Sequence, residues 1–126
     1  MIKTVYKVLP AFIIYTNRFI DDGFSGKAFG NIILIKPHYK NDKCLLMHEL
    51  VHVKQFYKTF GLHSVLYKLS EAYRLKCEIE AYTETIKCKE YTNENQFRWI
   101  VKSLSNNYDL SYTYEEINKL LNGSIK

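Results

Sequence analysis

Residues 30–56 read GNIILIKPHYKNDKCLLMHELVHVKQF, and the change of rhythm inside this stretch decides the fold. Ile32-Ile33-Leu34-Ile35 is a compact, mostly β-branched run of strand length. Pro37 ends it, because proline has no N–H to offer a sheet ladder. Beyond Pro37 the apolar residues return three and four apart, which is the helical period. Asn41 or Asp42 can accept from the first free amides of that helix, and Gly61 can stop it after about Thr59.

Toward the N-terminus the pattern stays strand-like. Ile2 to Leu9 carries Val5, Tyr6 and Val8, and Pro10 interrupts it. Ala11 to Tyr15 is again β-branched and aromatic. Asp21-Asp22-Gly23-Phe24-Ser25-Gly26 is a turn by composition. Toward the C-terminus the pattern stays helical: a short helix over Ser64 to Leu69, a long one from about Ser70 to Glu90, and one over about Glu94 to Leu104 before Asn106-Asn107. A last helix covers Tyr114 to Leu121, stopped by Asn122-Gly123. The expectation is an α+β fold in a single domain over residues 1–126. A small antiparallel sheet (about 1–37) precedes a helical bundle (about 41–122).

With 47% hydrophobic residues the chain can bury a core, so a disordered chain is excluded. No apolar run approaches the roughly 18 residues that a membrane span needs. Residues 1–10 mix Lys, Thr, Tyr and Pro among apolar residues, which is not the pattern of a secretory signal. Three cysteines are too few for a disulfide scaffold, and the expectation is three free thiols in a reducing cytoplasm. The net charge of +5 comes mainly from lysines scattered along the chain, so no concentrated basic stripe marks a nucleic-acid reader.

The chemistry lies in the helix after Pro37. His48-Glu49-Leu50-Val51-His52 is H-E-x-x-H. Residues four apart on a helix are offset by about 40°, so both imidazoles leave one face and can share a metal ion. Glu49 lies near the open side of such an ion, where a carboxylate can take a proton from a bound water. On the same wheel Leu46, Leu50, Val53 and Tyr57 gather on another side. Lys43, Lys54 and Lys58 form one narrow solvent stripe, and Gln55 and Cys44 fall beside the two histidines. Two histidines do not complete a catalytic zinc site, which takes three protein ligands and one open position. The long Ser70–Glu90 helix offers the third. Its apolar stripe is Leu75, Ile79, Tyr82 and Ile86, flanked by Glu71 and Glu78, with Glu80 and Glu84 opposite. If that stripe packs on the histidine helix, Glu78 or Glu71 can reach the metal, while Glu80 and Glu84 face solvent.

His48-Glu49-Leu50-Val51-His52-Val53-Lys54-Gln55, with Glu78-Ile79-Glu80-Ala81 downstream, resembles the gluzincin branch of zinc metallopeptidases. It is most similar to the small metallopeptidase-like proteins of bacterial and bacteriophage genomes. The resemblance covers about residues 29 to 90. It implies zinc held by His48, His52 and Glu78, with Glu71 and Glu80 as the other glutamates to weigh, and Glu49 as general base for peptide-bond hydrolysis. Tyr82 stands where the family's Asp stands, so another acceptor must orient His48.

The resemblance also implies a peptide or protein substrate held as an added strand on a sheet edge, for which Asn31 to Lys36 is the candidate. His38, His63, Tyr73 and Tyr82 are the polar candidates for the substrate oxyanion. In so short a chain a partner or second copy completes the cleft, or the cleft is shallow. The setting implied is a cytoplasm, that of an infected host included, or a virus particle. The alternative is a catalytically silent zinc protein on the same scaffold, structural or virion-associated. Trp99 with Phe97, Ile100 and Leu104 reads as the apolar face of a closing helix.

Overall fold

The computed structural model describes residues 1–6, 9–89 and 94–125. Val8 and Glu90, assigned above to a strand and a helix end, lie outside them. Among the described residues the fold is α+β, a four-stranded sheet followed by a 3-10 turn (Pro37–Tyr39) and five α-helices. The chain divides into two compact units, Met1–Ser64 and Val65–Lys126.

In the first unit the strands are β1 (Ile2–Val5), β2 (Leu9–Tyr15), β3 (Gly26–Phe29) and β4 (Ile32–Ile35), in the order β1-β2-β4-β3. The sheet is mixed where an antiparallel one was expected. β1–β2 and β3–β4 are antiparallel, but β2 and β4 run parallel, with Ile13 opposite Ile33. The physical reason is β3. It folds back on β4 through Gly30-Asn31, with Gly30 at φ +62°, a conformation that a two-residue hairpin turn takes easily at glycine. β4 can then dock directly on β2. Gly26-Lys27-Ala28-Phe29 has little strand propensity, and the expected turn had absorbed its first residue. Pro10 does not end a strand. It lies within β2, opposite Thr4 of β1.

Alternation sorts the sheet. Val5, Ala11, Ile13, Ile33 and Ile35 point to one face and are buried, while Phe12, Ile14 and Ile32 point to the other and are exposed. The buried face packs with Leu45, Leu46, Leu50, Val53 and Tyr57 of helix α1 (Lys43–Lys58). The Asp42 carboxylate caps α1 by accepting from the Leu45 amide at 3.0 Å. The helix closes at Gly61, whose amide donates to the Phe56 carbonyl at a φ of +86°. Lys43, Lys54 and Lys58 are exposed, as the wheel requires. The Tyr57 hydroxyl donates to the Pro10 carbonyl at 2.7 Å and accepts from Asn31 at 3.2 Å, tying the end of α1 to the sheet.

The second unit is helical. Helix α2 (His63–Leu69) begins at the end of the first unit and continues into it. It is followed by α3 (Glu71–Lys89), α4 (Glu94–Asn107) and α5 (Tyr114–Ile125). The Ser70 hydroxyl accepts from the Tyr73 amide, which starts α3. Thr113 and Glu116 form a reciprocal capping box at the start of α5. That helix continues past Asn122-Gly123, where the sequence had suggested a stop. The stripe Leu75, Ile79, Tyr82 and Ile86 forms one buried cluster with Ile100, Val101 and Leu104 of α4 and with Ile117 and Leu121 of α5. Its apolar surface is therefore used to hold α3 to α4 and α5. Trp99 stands apart from this cluster and is 62% exposed, contrary to its assignment to the apolar face.

Candidate metal centre

In the first unit His48, Glu49 and His52 are 7%, 5% and 8% exposed. They are buried polar groups on a helix whose other sides serve the sheet and the solvent. The two imidazoles lie edge-on, ring centres 5.2 Å apart. Gln55, one turn on, fixes the second of them. Its Oε1 lies 2.9 Å from His52 Nδ1. An amide oxygen only accepts, so Nδ1 carries the proton and Nε2 carries the lone pair that a metal takes. The wheel position of Gln55 becomes a role: it sets the tautomer of His52.

Glu49 faces β3. A Cβ built on Gly26 would stand 3.4 Å from Glu49 Oε1 and 3.2 Å from the Leu34 carbonyl. The missing side chain at Gly26 lets the strand backbone come up against the carboxylate. His63 is buried, and its ring centre lies 6.1 Å from that of His52. Of the oxyanion candidates, His63 therefore stands beside a motif imidazole. His38 is exposed and meets Tyr39 edge-on. Tyr73 is half-buried on α3, and the Tyr82 hydroxyl turns to those of Tyr108, at 2.8 Å, and Ser103.

In the second unit the glutamates separate clearly. Glu78 is 2% exposed. Its Oε1 accepts from the Tyr67 hydroxyl at 2.6 Å, and burial together with this carboxylate raises the Tyr67 phenol well above its ordinary range. Glu71 instead accepts from the Ser111 amide, and hydrogen bonding to the Ser111 side chain, then to this amide, holds its carboxyl below the usual range. Glu80 is exposed, and Glu84 is half-buried where solvent exposure was expected. Among the described residues His48, His52 and Glu78 are a buried group whose ligand atoms all lie within 4.8 Å of one another. Ligands about 2.1 Å from a shared tetrahedral ion stand roughly 3.5 Å apart, and within the 4.8 Å bound this donor set could hold one ion. Glu71 and Glu80 are not in the group.

Cys44 and Cys88 are each disulfide-bonded, and Cys77 is a thiol outside any disulfide. That overturns the expectation of three free thiols. Burial pushes the Cys77 thiol up to about 11. The expected edge strand is also corrected. β4 lies between β2 and β3, and the edges are β1 and β3. No signal pointed to Tyr67, because the bend between α2 and α3, not a helical repeat, brings it to Glu78. Compared with family models, with curated proteins and with solved structures, the chain matches none. No helix among the described residues is long and apolar enough to cross a membrane.

Proposed function

We propose that this chain is a small metal-dependent hydrolase of peptide bonds, with His48, His52 and Glu78 as metal ligands and Glu49 as general base. One observation carries the reading: two imidazoles and a carboxylate, all buried, with ligand atoms within 4.8 Å of one another. Burying a carboxylate among histidines is costly unless a cation or hydrogen bonds compensate it. Two nitrogen ligands and one carboxylate oxygen suit zinc, which when bound would make water acidic and polarise a carbonyl.

The chain's own groups supply the rest. In this reading Glu49 accepts a proton beside the ligand pair and passes it to a leaving amine. Gln55 keeps the His52 lone pair on Nε2. His63 is the donor that this reading assigns to the developing oxyanion. An extended peptide would add to the outer edge of β3, whose backbone at Gly26 lies against Glu49.

The test is metal content by mass spectrometry on untagged protein, with wild type, His48→Ala and Glu78→Ala side by side. The expected result is near-stoichiometric zinc in wild type and loss in both variants. Glu49→Gln should then keep the metal and lose cleavage of a peptide library. Wild type without metal, even after zinc is added back, removes the hydrolase reading. Metal retained without any cleavage leaves a zinc protein that does not hydrolyse peptides.

A further inference from the structure

The third ligand of a three-ligand site is only as well placed as the groups that hold it. Glu78 sits mid-helix on α3 and is almost wholly buried, so its carboxylate has to be oriented from within the protein. Tyr67 does this from the neighbouring α2, donating to Oε1 at 2.6 Å. A phenol on a carboxylate at this distance is a short, charge-assisted bond, stronger than a neutral one.

Tyr67 is itself held. Arg74 donates from Nη1 to the Tyr67 carbonyl at 2.8 Å and lies over its ring, 5.9 Å from the centre. The same guanidinium donates from Nε to the Tyr108 carbonyl and from Nη2 to the Asp109 carbonyl, each at 2.8 Å. One arginine thus pins the end of α2 to the connection between α4 and α5. The tyrosine that reaches Glu78 is anchored through its own backbone.

We propose that Tyr67 is a positioning residue for the metal: its hydroxyl engages Oε1 of Glu78, so that ligation falls to Oε2 alone. This inference rests on the metal reading above. It goes further by naming the group that sets the angle and the single-oxygen mode of the third ligand. Without the phenol the carboxylate could rotate or bind through both oxygens. Groups that orient a metal ligand typically contribute about 10–100-fold to metal affinity.

The experiment loads wild type, Tyr67→Phe, Tyr82→Phe and Glu78→Gln with cobalt(II). It records the visible d–d spectrum and measures affinity by competition with a chromophoric chelator. Far-UV circular dichroism checks the fold of each variant. Tyr67→Phe keeps the ring and removes only the donor. It should weaken cobalt binding by about 10–100-fold and change the spectrum while the fold stays intact. Tyr82→Phe, which loses its contacts to Tyr108 and Ser103, should bind as wild type does. Equal affinity and an identical spectrum in Tyr67→Phe overturn this inference and leave the metal site standing. Equal weakening in Tyr82→Phe also overturns it, because the effect would then be general loosening of the helices. Wild type that binds no cobalt overturns both the metal reading and this one.

Discussion

Tyr57→Phe should destabilise the first unit by about 1.5–2.5 kcal/mol. Tyr57 is the last aromatic residue of α1, and its hydroxyl makes two bonds to the sheet: it donates to the Pro10 carbonyl at 2.7 Å and accepts from Asn31 Nδ2 at 3.2 Å. Phenylalanine keeps the ring in its cluster with Val53, Ile33 and Ile35, so little apolar burial is lost. The loss is then mainly two hydrogen bonds, each worth about 0.5–1.5 kcal/mol net. Pro10 and Asn31 are half-buried, so water reaches their orphaned groups only in part, which favours the middle of that range. Asn31→Ala removes only the longer bond and should cost about 0.5–1 kcal/mol, and the double variant should cost less than the sum of the two. The assay is hydrogen exchange at the amides of Ile33 and Val53, both fully buried in the first unit, beside urea denaturation followed by far-UV circular dichroism. Tyr57→Phe within 0.5 kcal/mol of wild type would refute the reasoning. It would mean that apolar contact alone holds α1 on the sheet.

Four further outcomes are expected. Arg74→Ala removes three guanidinium bonds to carbonyl oxygens and should cost the second unit about 2–4 kcal/mol in urea denaturation, with Arg74→Lys recovering only part of it; full recovery by lysine would show that charge, not the planar fork, matters. Gln55→Ala should lower zinc affinity by about 10–100-fold in chelator competition, because His52 loses the acceptor that sets its tautomer; unchanged affinity would remove Gln55 from the site. Thiol titration of the denatured, unreduced protein should find one thiol, and three after reduction; three before reduction would contradict the bonded state of Cys44 and Cys88. In the folded protein Cys77, buried and raised to about 11, should alkylate slowly at pH 8 and faster as the pH climbs toward 11, since only the thiolate reacts.

The helices and the inner faces of the strands were legible in the sequence because local chemistry specifies them. Asp42 caps α1 through its own side chain, Gly61 closes it at a positive φ, and alternation at Ala11 and Ile13 marks the buried face of β2. The spacing of His48 and His52 puts two imidazoles on one side of a helix whatever surrounds it. By itself, then, the sequence determined the α+β class, the motif helix and the pair of histidines that it carries on one face. The remaining features depend on contacts distant along the chain, and no periodicity encodes those. β3 has a poor strand composition and exists because Gly30 turns it back on β4, which in turn makes the β2–β4 pairing parallel. The wheel left Glu71 and Glu78 equivalent. They part only because Ser111 takes one and Tyr67 the other, through a bend and a loop that bring residues 40 and 11 positions away into bonding distance. Local patterns set what each segment can be, and tertiary packing decides which of its polar groups meet, because a buried group must find its partner wherever the fold supplies one.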